Sequence, residues 1–181
     1  VTVAKGQRIE RYFVEGGVRD VAVTAGTLFR DLALQHAAAK APPLDVAVGF
    51  YEVFQNHLYN SCLYATLGRG GVDAGVRHVH RKVFLPTYGM FDEERFVDKG
   101  REVRAFDTSW GRAAILICED AWHSLAGTIA ALDGAQLVIV PSASPGRGSA
   151  RTEDGQSLPA SLVRWERVVR GLADEHGVYV A

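Results

Sequence analysis

Cysteine is scarce in this sequence: Cys62 and Cys118 are the only two among 181 residues. Two cysteines cannot form the framework of several disulfides that stabilises small secreted domains. They also form no Cys-x-x-Cys pair and no Cys/His spacing of the kind that binds structural zinc. We therefore expect no metal or other cofactor, and a reducing, cytoplasmic setting in which each cysteine needs its own explanation.

The sequence also lacks an excess of charge of one sign and a long apolar run. It has 20 Lys and Arg against 21 Asp and Glu, which gives a formal net charge of −1. This balance gives no electrostatic reason to expect nucleic acid or an anionic membrane as a partner. No apolar run approaches the roughly 20 residues of a membrane span, and the N-terminal stretch does not have the pattern of a signal peptide.

Strand patterns alternate with helix patterns along the chain, which indicates an α/β fold. Short, mostly β-branched apolar runs bounded by Gly, Asp, Asn or Pro predict buried strands at residues 21–24, 46–50, 58–65, 77–80, 113–117, 137–141 and 178–181. Apolar residues at helical spacing predict helices at residues 27–39, 122–132 and 158–176. Residues 55–57 separate two neighbouring strands as in an antiparallel hairpin, so we expect mixed sheets.

The polar, turn-rich stretch 145–157 is predicted to be a surface loop and not a linker between domains. We therefore expect a single domain over residues 1–181. The last predicted strand reaches the end of the sequence, and residues 8–17 resemble part of a helix. From these features the domain is predicted to be incomplete at both ends.

The stretch AILICEDAW places Cys118 at the end of a predicted strand, directly before Glu119 and Asp120. One interpretation is a small apolar residue that ends a buried strand. The other is a nucleophile, because α/β proteins place their sites on the connections that follow strands. Cys62 lies inside a predicted strand and is expected to be a buried core residue.

Two more connections after predicted strands carry polar groups. In HRKVFLPTYGMFDEERF, residues 80–96, Lys82 ends an alternating strand and Glu93 lies beyond a turn, while PSASP follows a later strand at 141–145. A lysine near a cysteine favours the thiolate and can stabilise an oxyanion, and a carboxylate can move a proton. Such a set suits acyl transfer from an amide. Taken alone, a lysine such as Lys82 is more commonly exposed at a strand end, and a glutamate such as Glu93 more commonly belongs to a solvated run of charges.

These stretches resemble the nitrilase, or carbon–nitrogen hydrolase, superfamily, and within it the amidase and glutaminase-like branches. The family's R-K-x-x-L motif is matched by residues 81–85, and its G-x-x-I-C-x-D type motif by residues 111–120. The resemblance covers roughly residues 28–181. It implies a four-layer αββα sandwich of the nitrilase type, with mixed sheets.

The resemblance also implies roles for individual residues. Cys118 matches the nucleophile, Lys82 the lysine that stabilises the tetrahedral intermediate, and Glu93 the second glutamate, which positions the lysine and substrate. The backbone N–H of Glu119 would complete the oxyanion hole. Three residues fall at expected substrate-pocket positions, although packing or turn formation explains them equally well: Tyr88, Trp122 and Ser144.

One expected element of the family pattern is absent. The general-base glutamate belongs to an F-P-E-L type stretch before a turn and a helix, but the matching region, residues 17–32, reads GVRDVAVTAGTLFRDL. Asp20 is the nearest carboxylate, at the start of the predicted strand. Residues could be absent from this sequence, the protein could be an inactive family member, or another carboxylate could substitute.

The predicted function is hydrolysis of a non-peptide C–N bond in a linear carboxamide, through a cysteine thioester and with release of ammonia. A small-molecule amide is the expected partner. One alternative is a glutaminase-type domain that supplies ammonia to a synthetase; the other is a non-catalytic scaffold that lacks the general base. The resemblance also implies a homo-oligomer, a dimer or larger, with the helix predicted at 158–176 as a candidate interface.

Overall fold

The chain packs as two units, Val1–Glu102 and Val103–Ala181. A computed structural model describes residues 17–68, 74–89, 91–151, 155 and 157–181. The predicted helical fragment at 8–17 therefore lies almost entirely outside the described residues. Among the described residues, no helix has the length and apolar character needed to cross a bilayer. The single domain predicted over residues 1–181 stays a prediction.

The first unit begins with two helices, α1 (Gly17–Val21) and α2 (Ala25–Ala39). Thr24 caps α2, because its hydroxyl oxygen accepts a hydrogen bond from the backbone N–H of Thr27 at 3.1 Å. Lys40 ends the helix in the left-handed conformation, with φ of 54°. The helix predicted at 27–39 is thereby confirmed.

An antiparallel sheet of the order β1-β2-β3 follows, formed by β1 (Leu44–Phe54), β2 (His57–Leu67) and β3 (Gly75–Arg81). Gln55 and Asn56 form a two-residue turn between β1 and β2, with φ of 49° and 67°. Positive φ at both central residues matches the right-handed twist of the flanking strands. The predicted hairpin is thus confirmed. The middle strand β2 is the most buried of the three, from Ser61 to Ala65.

The strand predicted at 21–24 is wrong. Val21 ends helix α1, and Val23 makes a single parallel bridge to Glu52. The backbone N–H of Val23 donates to Tyr51 O at 3.0 Å, and Val53 N donates to Val23 O at 3.0 Å. The segment between the two helices is too short to extend this ladder, because Thr24 already caps α2.

The second unit contains a mixed sheet of the order β4-β5-β6-β9, which confirms the predicted sheet type. Its strands are β4 (Ala105–Thr108), β5 (Gly111–Ile115), β6 (Leu137–Ile139) and β9 (Tyr179–Val180). Strands β4 and β5 are antiparallel, whereas β5, β6 and β9 are parallel. Helices α3 (Ser124–Leu132) and α4 (Ala160–His176) connect the parallel strands.

Two boundaries in the second unit differ from the prediction. Residues 118–122 form a 3₁₀ turn, Cys118–Trp122, so α3 begins at Ser124 and not at 122. The predicted loop 145–157 contains a short antiparallel pair, β7 (Ala150–Arg151) with β8 (Ser157–Leu158). A pair this short leaves no period-2 pattern in the sequence, which is why the prediction missed it.

Candidate active site

Lys82 follows directly on β3 and is held by backbone bonds from two directions. Its N–H donates to Asn60 O at 2.9 Å, and its carbonyl accepts from Gly100 N at 2.8 Å. The residue is only 2% exposed. An ammonium group at such a site needs a charged partner, because leaving it unpaired would be very costly.

Glu93 is that partner. Lys82 Nζ donates to Glu93 Oε2 at 2.6 Å, and Asn60 Nδ2 donates to Glu93 Oε1 at 3.4 Å. The backbone of Glu93 opens the 3₁₀ turn Glu93–Arg95, where its N–H donates to Pro86 O at 3.1 Å. The Glu93 side chain is 27% exposed, so the carboxylate reaches the surface while the lysine beneath it does not. The structure therefore brings these two predicted site residues together.

The environment of a neighbouring tyrosine, which includes the charge of Glu93, changes its pKa. Burial raises the pKa of Tyr51 above its ordinary value, and the negative charge of Glu93 raises it further. Tyr51 is the residue opposite Asn60 in the β1–β2 ladder. The phenol therefore stays neutral on the sheet face that carries the Lys82–Glu93 pair.

The adjacent glutamate behaves differently. Glu94 forms an ion pair with Lys99, and both side chains are well exposed. Exposed pairs of this kind contribute little to stability. Two consecutive glutamates thus each bind a lysine, but only the Glu93 pair reaches a buried amine.

A second charged cluster lies directly behind the lysine, and the sequence analysis missed it. Glu52 is 1% exposed and receives two hydrogen bonds from Arg81, Nε to Oε2 at 2.7 Å and Nη2 to Oε1 at 2.8 Å. Ser61 Oγ donates to the same carboxylate at 2.8 Å. The guanidinium also lies over the Phe54 ring at 3.9 Å. The one sign of it in the sequence is a glutamate inside the apolar stretch GFYEVF, which does not show what that glutamate binds.

Cys118 has an unusual backbone conformation. Its φ is 48°, in the left-handed region that residues other than glycine rarely adopt. The turn is held by Asp120, whose fully buried carboxylate accepts a hydrogen bond from Ile117 N at 3.0 Å. Cys118 N donates to Pro141 O at 3.0 Å. Residues with a strained backbone of this type cluster at functional sites, and here the strained residue carries a half-buried thiol.

The predicted pocket residues differ in their surroundings. Ser144 Oγ lies 3.8 Å from Cys118 Sγ, so the structure brings these two predicted residues together. Trp122 is exposed and makes an edge-to-face contact with Trp165 of α4, with ring centroids 5.1 Å apart. Tyr88 is 59% exposed and lies edge-on to Phe91, at 6.2 Å between centroids. Both aromatic residues therefore have a packing contact with another ring, in addition to the predicted substrate-binding role.

Glu119 follows Cys118 in the 3₁₀ turn, and its Oε1 lies 3.9 Å from His123 Nε2. The oxyanion role of its backbone N–H stays a prediction. Lys82, Tyr88 and Glu93 belong to the first unit. The second unit carries the remaining predicted site residues: Cys118, Glu119, Trp122 and Ser144.

The region where a general base was expected offers no buried carboxylate. Within the described residues 17–32, Asp20 lies on α1 and Asp31 on α2, and both are exposed. The sequence predicted that Asp20 begins a strand, and this prediction is wrong because Asp20 lies on helix α1. Asp31 is paired with the neighbouring Arg30 at 3.4 Å. Nor does the described part of the chain contain a group of three or more His, Cys, Asp or Glu side chains arranged to hold a metal ion.

Comparison with known proteins gives a consistent set of matches. A sequence profile described as carbon–nitrogen hydrolase matches residues 24–181. The glutamine-dependent NAD(+) synthetase of Xylella fastidiosa is 34% identical over 118 residues, which cover 63% of this chain and 20% of that protein. The N-carbamoylputrescine amidase of Solanum lycopersicum is 30% identical over 136 residues, 75% of this chain and 42% of that protein. The chain thus spans less than half the length of these curated relatives.

A solved structure shows the same fold. The crystal structure of a carbon–nitrogen hydrolase from Helicobacter pylori G27 matches with a TM-score of 0.67 at 20% identity, over 94% of this chain and 52% of that one. At this identity the likeness concerns the fold alone. It confirms the predicted α/β class and the nitrilase-type fold that the sequence resemblance implied.

Proposed function

Because the chain belongs to the carbon–nitrogen hydrolase family, we propose that it hydrolyses a linear carboxamide through a cysteine thioester and releases ammonia. The observation that carries the proposal is the Lys82 amine, buried to 2% exposure and bound to Glu93 at 2.6 Å. A buried ion pair is weak evidence of a stabilising role, since an apolar pair often serves stability as well. A chemical role accounts for a lysine amine at this buried position.

In the proposed reaction the Cys118 thiolate attacks the amide carbonyl carbon, and the carbonyl oxygen becomes an oxyanion. Lys82 and the backbone N–H of Glu119 stabilise that oxyanion, and Glu93 keeps the lysine oriented through its hydrogen bond. The amide nitrogen takes up the proton that the Cys118 thiol lost, the C–N bond breaks, and the nitrogen leaves as ammonia. Water then attacks the thioester, which yields a carboxylic acid and restores the thiol. The general base is not assigned to a residue.

The three pocket residues are proposed to bind the substrate beside this centre. Ser144 is close enough to the Cys118 sulfur to contact a group attached to the scissile carbonyl. Tyr88 and Trp122 offer exposed aromatic surface for the carbon chain of the substrate. Their contribution is expected in KM and not in kcat, because such contacts act on ground state and transition state alike.

Ammonia release tests the proposal. The purified chain is incubated with a panel of linear carboxamides, glutamine and N-carbamoylputrescine, and ammonia is measured for the wild type, Cys118→Ala and Cys62→Ala. We expect turnover of at least one amide, its loss in Cys118→Ala, and its retention in Cys62→Ala. Equal ammonia release from wild type and Cys118→Ala would contradict the assignment of the nucleophile.

A glutaminase-type domain that supplies ammonia to a synthetase is the second candidate function. It is favoured by the 34% identity to a glutamine-dependent NAD(+) synthetase. The same panel separates the two candidates. Glutamine as the preferred substrate by a wide margin in kcat/KM supports the glutaminase, whereas preference for another carboxamide supports the amidase.

A non-catalytic scaffold is the third candidate, favoured by the exposed carboxylates of residues 17–32. Intact-mass measurement after incubation with an amide or a thiol-reactive substrate analogue distinguishes it. An acyl adduct on Cys118 without turnover indicates a nucleophile that lacks its base. The absence of both an acyl adduct and ammonia release supports the scaffold.

Assembly and setting form the last part of the proposal. We propose a homo-oligomer in which helix α4 takes part, supported by Leu162, an exposed apolar residue on that helix. Analytical ultracentrifugation at several concentrations tests this, and a monomer throughout contradicts it. Two free cysteines support a reducing, cytoplasmic setting.

A further inference from the structure

Asn60, on strand β2, contacts both members of the Lys82–Glu93 pair. Its carbonyl oxygen accepts a hydrogen bond from the backbone N–H of Lys82 at 2.9 Å. Its side-chain Nδ2 donates to Glu93 Oε1 at 3.4 Å, while the lysine amine binds the other carboxylate oxygen at 2.6 Å. One residue of the central strand is thus attached to the lysine through its backbone and to the glutamate through its amide.

The ladder fixes where this amide points. Asn60 is opposite Tyr51, and Ser61 is opposite Phe50 and Arg81. Because neighbouring side chains of a strand point to opposite faces, Ser61 joins the Glu52–Arg81 cluster while Asn60 faces Glu93. The position of the amide is therefore set by the middle strand of the sheet, where Asn60 is paired with Tyr51, and not by a loop.

The chemistry of an amide suits this task. The terminal torsion of a glutamate is broad, so a carboxylate held at one oxygen can still turn about its last bond. A neutral N–H donor at the second oxygen stops that rotation without adding charge to the pair. A carboxylate in place of the amide would repel Glu93, and a methyl group would leave Oε1 without this donor.

We propose that Asn60 is a positioning residue, which holds the Glu93 carboxylate so that Oε2 faces the Lys82 amine. Its catalytic consequence rests on the proposed amide hydrolysis. Asn60 itself touches neither substrate nor the reacting sulfur in this scheme. It acts through Glu93, and its loss is felt in the orientation of the lysine.

The activity test uses three variants of the full chain. Asn60→Asp keeps the shape of the side chain but replaces the donor with an acceptor, and Asn60→Ala removes the amide. The matched control is Asn56→Asp, the same change at an exposed position of the β1–β2 turn. We expect kcat to fall about 10- to 100-fold in both Asn60 variants, with KM within about threefold of wild type. The control is expected to stay within about twofold in both constants. A kcat within twofold of wild type in Asn60→Asp overturns the proposal.

A second measurement does not depend on activity. Urea unfolding is measured for Asn60→Asp, Glu93→Gln and the double variant, which exchanges the donor and the acceptor between the two positions. We expect the double variant to be more stable than the sum of the single changes implies, by at least about fivefold in the unfolding equilibrium constant. If the effects of the two single changes on the free energy of unfolding are additive, Asn60 and Glu93 do not interact, and the proposal is overturned. If the wild type releases no ammonia but this coupling is present, the proposed hydrolysis fails and the positioning contact stands.

Discussion

Arg81 and Lys82 are neighbours in the sequence, yet they serve separate charged clusters. Arg81 binds the buried Glu52 through two hydrogen bonds of 2.7 and 2.8 Å. Lys82 binds Glu93 at 2.6 Å. Strand geometry sends consecutive side chains to opposite faces, so the end of β3 anchors one cluster behind the sheet and presents an amine in front of it.

The two consecutive glutamates allow a matched comparison of activity. We expect Glu93→Gln to lower kcat about 100-fold, because the buried Lys82 amine loses its charged partner. Glu94→Gln changes an exposed pair and is expected to stay within about twofold. Ammonia release is the measurement. Equal losses in the two variants would show that the burial of the Lys82 pair has no bearing on activity.

The two cysteines should differ in reactivity toward iodoacetamide. Burial raises the pKa of the Cys62 thiol to about 12, with the backbone N–H of Val48 lowering it slightly against that trend. Cys118 is half-buried at the end of its strand. At pH 8 we expect peptide mapping to find Cys118 alkylated and Cys62 intact, and both alkylated in urea. Modification of Cys62 in the folded chain at a rate similar to that of Cys118 would contradict the burial of Cys62.

The Glu52–Arg81 pair predicts a large effect on stability. Glu52→Gln removes the charge that balances a partly buried guanidinium, and we expect a loss of about 3 kcal/mol in the free energy of unfolding. The control is Glu166→Gln on α4, whose pair with Arg170 is exposed and should cost less than about 0.5 kcal/mol. Urea unfolding measures both. A loss below 1 kcal/mol in Glu52→Gln would mean that water replaces the lost bonds.

The close packing of the Gly100 backbone against Arg81 predicts an effect on stability. A methyl group on Gly100 would collide with the carbonyl oxygen of Arg81, whereas one on Gly75 would meet no atom of the described residues within 4 Å. We expect Gly100→Ala to destabilise the chain by about 2 kcal/mol or more, and Gly75→Ala to leave it nearly unchanged. Thermal and urea unfolding compare the two. Equal stability of both variants would place the Gly100 backbone further from Arg81.

His78 predicts a dependence of stability on pH. Burial, helped by the charges of His80 and Arg81 and opposed by Glu102, lowers the pKa of His78 to about 4. In the unfolded chain the imidazole takes up its proton near pH 6.5. Between about pH 6.5 and pH 4 the unfolded state therefore binds a proton that the folded state does not, and stability falls as the pH falls.

Between about pH 6.5 and pH 4, the free energy of unfolding is expected to fall by about 2 kcal/mol, after a discount for the partial exposure of the His78 ring. It should level off below about pH 4. Urea unfolding at pH 7, 6, 5 and 4 measures it, and the difference between wild type and His78→Gln isolates the contribution of this residue. Parallel curves for the two proteins would contradict a neutral His78 in the fold.

Several parts of the fold could be predicted because they depend on local pattern. The β1–β2 hairpin followed from the turn residues between two apolar runs, and the helix Ala25–Ala39 from its apolar spacing. Val21 was misassigned, because a β-branched residue next to a polar one looks the same at the end of a short helix as in a strand. The pair β7–β8 was missed because two residues carry no periodicity.

The candidate site divides in the same way. Cys118, Lys82 and Glu93 could be selected because they stand in motifs that resemble those of a known family. Asn60, Glu52 and Gly100 could not, because their importance comes from contacts with residues distant in the sequence. The left-handed backbone of Cys118 was equally invisible, since it is imposed by the buried Asp120 carboxylate and the bond to Pro141.

The sequence by itself determined the α/β class and the mixed sheet, which rest on residue type and spacing along the chain. Its resemblance to a known family indicated the family and the candidate nucleophile and lysine. Only the tertiary structure decided that the lysine amine bound to Glu93 is buried, and which strand residue holds that glutamate in place. The physical reason is that these choices depend on burial and on hydrogen bonds across the sheet, which arise when strands far apart in the sequence are paired.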